Sequence, residues 1–185
     1  MEFPHKLTSK QVFESRDLLL YYMEHVPHKA HLRCGLEWRY ITLSEFLKRS
    51  EKQASFLIEK LDYFLEGSCY QYYLETIAEA AKRNVHLKLL TLKENSVSPE
   101  ILVWKDLQDR YPDHVGVRFL SSAADIYLDT RIQERQQKPT NIIAFDNIAY
   151  SMEYTKGEIV AISCFQNAEL GSRMQGVVDD AYDLS

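Results

Sequence analysis

The chain has 185 residues, 45% hydrophobic and 26% charged, enough to bury a core without disulfides or metal. No apolar run nears the roughly 20 residues of a membrane helix and no basic-then-apolar start marks a signal peptide, so the expectation is one soluble cytoplasmic domain with no cofactor and no membrane contact. The net charge of −5 argues against general nucleic-acid binding, which draws on counterion release at a basic surface.

Thr8 and Gln11 form a capping box, and Val12, Leu19, Tyr22 and Met23 supply one apolar face, predicting a helix that stops before Pro27. The run from Ala30 to Leu36 alternates as a half-buried strand does. A second capping box, Thr42 with Glu45, predicts a helix carrying Leu43, Phe46 and Leu47, and Ser55 to Leu61 reads as a strand that is also compatible with helix. Ser68 with Gln71 opens a helix whose buried face is Leu74, Ile77, Ala78 and Ala81, followed by a strand from Val85 to Leu90. Ser98 and Pro99 form an N-cap and first helical position for a helix toward Tyr111.

Val115 to Leu120 is a predicted strand and Thr130 to Lys138 a polar loop. Strands follow at Asn141 to Phe145, Ile148 to Met152 and Glu158 to Ile162, with turns at Asp146-Asn147 and Lys156-Gly157. A final helix from near Asn167 carries Leu170, Met174, Val177, Val178, Ala181 and Tyr182, with Asp179, Asp180 and Asp183 set on its other side. Its apolar stripe is expected on this chain's own sheet, with part of it open to a second copy. Alternating elements predict an α/β fold with a mixed sheet whose late strands are antiparallel. No internal repeat or linker divides the chain.

His25, His28, His31 and Cys34 are all zinc-ligand types. Their spacing argues against a tetrahedral site, because Pro27 breaks the helix and His31 and Cys34 point to opposite faces of a strand. The alternative is a helix-to-strand connection with solvated histidines and Cys34 as a small buried apolar residue. Cys34, Cys69 and Cys164 are odd in number and widely spaced, which reads as reduced thiols. Tyr70, Tyr72 and Tyr73 lack interleaved basic residues, so they read as helix surface and core edge rather than a base-stacking platform. His86 and Lys88 share one face of an alternating strand, read as solvent-side.

The segment from Pro139 to Asp146 is a strand ending in Asp before a turn. Its placement and apolar spacer resemble the H-x-K-x-x-x-x-D signature of the phospholipase D superfamily, with Asp146 in the Asp place, Asn141 in the Lys place and Pro139 in the His place. The passage AAKRNVHLKLL and the tail from Asp146 into AISCFQNAEL and a last helix resemble that family's element order. Leu61-Asp62 resembles an element that precedes the first crossover helix in a catalytically degenerate bacterial group. The resemblance covers about Thr42 to Ser185, leaving about 1–41 as an N-terminal helical extension of a single domain. It implies a mixed sheet flanked by helices.

In active members, His attacks phosphorus, a partner His protonates the leaving group, and Lys neutralises developing charge. Proline can do neither of the histidine's jobs and asparagine carries no charge. From Pro139 onward two basic side chains face seven acidic ones, which repel a diester. The resemblance therefore implies a non-catalytic binding or scaffold module that self-associates as a homodimer or meets another protein. The rival is a hydrolase or nuclease-like phosphodiesterase working through a cleft of Asp62, Asn141 and Asp146, two of whose acids could hold a divalent cation. A third reading is a nucleic-acid-associated protein.

Overall fold

The computed structural model describes residues 16–25, 30–34, 36–59, 68–132, 140–146, 149–156 and 158–185. Among them the helices are α1 (Arg16–His25), α2 (Leu36–Arg49), α3 (Ser68–Lys82), α4 (Pro99–Arg110), α5 (Ser122–Ile132) and α6 (Ala168–Asp183). The strands are β1 (Ala30–Cys34), β2 (Gln53–Ile58), β3 (His86–Thr91), β4 (Val115–Phe119), β5 (Asn141–Phe145), β6 (Ala149–Lys156) and β7 (Glu158–Cys164). They form one sheet in the order β1-β7-β6-β5-β2-β3-β4.

The sheet has two characters. β2, β3 and β4 run parallel, as crossover helices require. β5 is antiparallel to β2, and β5, β6, β7 and β1 continue antiparallel. β2 and β5 lie centrally with helices on both faces, which is why Ala54 to Ile58 and Asn141 to Phe145 are all buried. Residues alternate between two cores. Phe56, Leu89, Ile143 and Phe145 pack with Phe46, Tyr73, Ile77 and Trp104 under α2, α3 and α4. Leu57, Leu90, Ile142 and Tyr150 pack with Leu128, Val178 and Ala181 under α5 and α6.

Local signals fix several ends. Ser98 Oγ accepts the Ile101 N–H at 3.3 Å and Asn167 Oδ1 accepts that of Leu170 at 3.1 Å, each side chain satisfying a helix N–H that lacks an intrahelical partner. The β4 edge is occupied by its own approach. Val115 N–H donates to the Tyr111 carbonyl at 2.9 Å and Val117 N–H to Gln108 Oε1 at 3.2 Å.

The strand expected from Ala30 is present as β1, and its pairing with β7 makes this part of the chain an edge of the sheet. The difference is in α2, which starts at Leu36 rather than at Thr42, with Tyr40 and Ile41 buried in the core. Thr42 is buried inside that helix, not at its cap; burial of the preceding turn outweighs the local capping signal. β2 starts two residues before the expected strand and ends at Ile58. Helix α5 has no counterpart in the sequence reading. Its fully buried residues are only Ala124 and Leu128, too few apolar positions to stand out as periodic.

Candidate functional site at the carboxyl edge of the sheet

Asn141 and Asp146 do not share a cleft. They flank β5, five steps apart, or roughly 16 Å along a strand. Because β5 opposes β2, Asn141 lies at the carboxyl edge of the parallel strands, opposite Ile58, and Asp146 lies at the amino edge. Asp62 and Pro139 lie outside the described residues.

Asp146 holds a turn together. Its carboxylate accepts the backbone N–H groups of Glu51 at 2.7 Å, Lys52 at 2.9 Å and Gln53 at 2.7 Å, and its own backbone sits at a φ of 50°, a conformation Asp adopts more readily than most residues. Both carboxylate oxygens are thereby engaged with the segment that leads into β2.

Asn141 belongs to a buried polar cluster. It is 1% exposed. Its Nδ2 donates to Glu153 Oε2 at 2.7 Å and its Oδ1 accepts the Glu59 N–H at 3.0 Å. Glu153 is its register partner on β6 and pairs with Arg39 Nε at 3.1 Å, both side chains being 1% exposed or less. Asn95 extends the cluster by donating to the Glu59 carbonyl at 2.8 Å and to Thr91 Oγ1 at 2.7 Å; Thr91 in turn donates to the Ile58 carbonyl.

Three helices place their N-terminal halves here. α2 brings Arg39 and Tyr40, α3 brings Tyr70 and Tyr73, and α4 brings the buried Glu100. Helix N-termini carry partial positive charge, which favours buried carboxylates at this edge. The tyrosines meet as rings, Tyr40 lying 5.1 Å from Tyr70 and 5.4 Å from Tyr73 between centroids.

The electrostatics follow from burial. Desolvation works against the Arg39 charge, but the carboxylates of Glu153 and then Glu100 outweigh it and raise the guanidinium pKa. Burial raises the phenol pKa of Tyr40, Tyr70 and, furthest, Tyr73; at Tyr70 and Tyr73, Glu100 adds to the rise. The cluster thus keeps neutral phenols beside a fixed ion pair. It can offer hydrogen bonds and fixed charge, while both amide atoms of Asn141 are already engaged.

The sequence missed Arg39, Glu100 and Glu153. Arg39 follows Trp38 and precedes Tyr40 and Ile41, and a lone cation in an apolar run is the signal that was available. Glu100 reads locally as a first-turn helix acid, and only the sheet register places Glu153 beside Asn141. Tyr73 is fully buried and Tyr70 nearly so, deeper than the expected core edge, whereas half-buried Tyr72 donates to Glu45 at 2.6 Å.

Other expected groups are placed as follows. His25 is exposed, stacked on Tyr21, with Nδ1 at 3.0 Å from the Tyr21 carbonyl. His28 lies outside the described residues, as do the side chains of His31 and Cys34. Among the described residues no three of His, Cys, Asp and Glu converge on a metal position, and no helix is long and apolar enough to cross a membrane. Cys69 and Cys164 are buried. Lys88 lies under α6 in an ion pair with Asp179 at 3.1 Å, so neither it nor Asp179 sits on the expected solvent side.

No family model and no curated protein matches this sequence. Solved structures do. Nuc from Salmonella typhimurium, a phospholipase D family member, superposes with a TM-score of 0.55 at 12% identity, over 84% of this chain and 95% of that one. The fold is phospholipase D-like α/β. TrmBL2, an archaeal chromatin protein whose structure shows a novel mode of DNA binding, superposes with a TM-score of 0.59 at 11% identity, over 95% of this chain and 60% of that one. Both superpositions take in more of the chain than Thr42 to Ser185, consistent with β1 being part of the sheet.

Proposed function

We propose that this chain is a non-catalytic phospholipase D-like module that binds rather than cleaves, with a second copy of itself as its first partner. The carrying observation is Asn141. It stands in the place that the signature gives to a lysine, is 1% exposed, and has its amide engaged on both sides by Glu59 and Glu153. The cation nearest to it, Arg39, is buried and already paired with Glu153, so its charge is spent inside the fold rather than on a phosphodiester.

Self-association is supported by a band of partly buried apolar residues on the α5 and α6 side: Tyr127, Ile132, Leu170, Met174 and Val177. The rest of the α6 stripe, Val178, Ala181 and Tyr182, is buried in this chain's own core. A two-fold dimer would cover the band on both copies at once.

Nucleic acid is the less favoured partner, although the chromatin protein TrmBL2 binds DNA. Lys48, Arg49 and Arg83 line one groove together with Glu51. Each already has an intramolecular partner, however. Arg49 pairs with Glu45 and Glu24, Arg83 caps the Leu47 and Ser50 carbonyls, and Lys48 lies over the Tyr72 ring. Affinity no tighter than about 10⁻⁴ to 10⁻⁶ M at physiological salt is expected.

The test is an assay of the full chain on bis(p-nitrophenyl) phosphate, with and without Mg²⁺ or Mn²⁺, beside light scattering at micromolar concentration. No turnover and a mass of twice 21.7 kDa are expected. Turnover that co-purifies with the chain and falls on Asn141→Ala or Asp62→Ala, in folded protein, overturns the reading in favour of a hydrolase using non-standard residues. A mass of 21.7 kDa removes the dimer.

A further inference from the structure

The amino edge of the sheet, remote from the cluster around Asn141, contains a pit of about 140 Å³. Its walls come from separate segments: Met23 of α1, Phe46 of α2, Phe145 ending β5, Ala149 opening β6 and Phe165 following β7. Phe46 is the centre of the lining, stacked on Phe145 at 4.6 Å and tilted against Phe165 at 5.2 Å. A volume of about 150 Å³ is large enough for one benzene ring.

The mouth decides the charge of what enters. Arg49 donates to the Glu45 carbonyl and carboxylate at 3.1 Å and lies 3.6 Å from Glu24. Asp146 accepts three backbone N–H groups, and Ser50 Oγ donates to the Phe46 carbonyl at 3.0 Å. Each charge at the rim already has its partner, so an ion entering would lose its own hydration without a compensating contact.

We propose that this pit is a binding site for a small neutral aromatic molecule of single-ring size. The ring would sit against Phe46 and Phe165 and touch Met23, joining α1 to the sheet. Occupancy therefore strengthens the docking of α1, the first described element of the chain.

Phenol is the probe, titrated calorimetrically into the full chain, with benzoate as the charged ring and backbone hydrogen exchange as the second readout. Phenol is expected to bind at millimolar concentration, to raise the unfolding temperature and to slow amide exchange in α1. Benzoate should bind at least about tenfold more weakly. Ala149→Leu fills the pit and should abolish the phenol effects; if it does not fold, Met23→Trp fills the pit from the opposite wall and decides the matter. Absence of phenol binding, unchanged binding in a folded filled variant, exchange in α1 that phenol does not slow, or benzoate binding as tightly as phenol would each overturn the proposal.

Discussion

The two ends of β5 carry polar residues that do different work. At the amino edge Asp146 satisfies three backbone N–H groups of one neighbouring turn, so its contribution is local and partly open to water. At the carboxyl edge Asn141 ties the Glu153 side chain of β6 and the Glu59 backbone N–H just past β2 into a cluster that Arg39 anchors from a helix. A single strand thus ends in a solvent-side backbone clamp and in a water-excluded side-chain network. Substitution should hurt the second more, because a group left unpartnered in a dry interior finds no water to replace its partner.

The largest effect is expected at the ion pair. Arg39→Ala leaves Glu153 buried without its cation and should cost about 3–5 kcal/mol in urea unfolding, whereas Arg39→Met with Glu153→Met should cost less than the sum of the single changes. Additive costs would show that the pair does not hold the carboxyl edge together. Next comes Asn141→Ala, which leaves the Glu59 N–H to the Thr140 carbonyl and the buried Glu153 Oε2 to Arg39, and the loss of two hydrogen bonds, one to a charged group, should cost about 2–3 kcal/mol.

Asp146→Ala is expected to cost about 1–2 kcal/mol, since the exposed Glu51 and Lys52 can turn to water. Asp146→Asn should recover part of that by keeping an acceptor and tolerating the left-handed backbone. A loss at Asp146 as large as that at Asn141 would erase the contrast between the two ends.

The smallest effect at neutral pH is expected for Tyr73→Phe. The Tyr73 hydroxyl is buried with no hydrogen-bond partner among the described residues, so its removal should change stability by less than about 1 kcal/mol. Its signature lies in alkali. Burial holds the folded phenol protonated while the unfolded one ionises near pH 10, so the folded state keeps a proton that the unfolded state loses. Stability is fully present below pH 10 and falls above it by about 1.4 kcal/mol per pH unit for this residue. Chemical unfolding between pH 8 and roughly pH 11 should show a shallower decline in Tyr73→Phe; an unchanged slope would mean that this phenol titrates normally.

Elements with a strong local signal were readable in advance. Ser98-Pro99 marks the start of α4, and the alternation at Val85 to Leu90 gives β3 within a residue at either end. The capping box at Thr42 misled because burial of Tyr40 and Ile41 carries α2 back to Leu36. The phospholipase D-like sheet was legible through element order and the strand ending in Asp146. Arg39 and Glu153 lie 114 positions apart, and no local pattern could announce a pairing that only register and helix placement create. The same register sends Asn141 and Asp146, five residues apart, to opposite edges.

The blocked edge of β4 also bears on how copies could join. Sheets polymerise when each copy offers a free strand at both sides, so that every addition exposes another acceptor. Here the Val115 and Val117 amides are occupied by Tyr111 and Gln108, which leaves strand addition at most the β1 side. Joining there would put two copies β1 to β1 about a two-fold axis and leave only the occupied β4 margins outermost. Growth by that route ends at a closed pair, and an open-ended fibril is denied its second template.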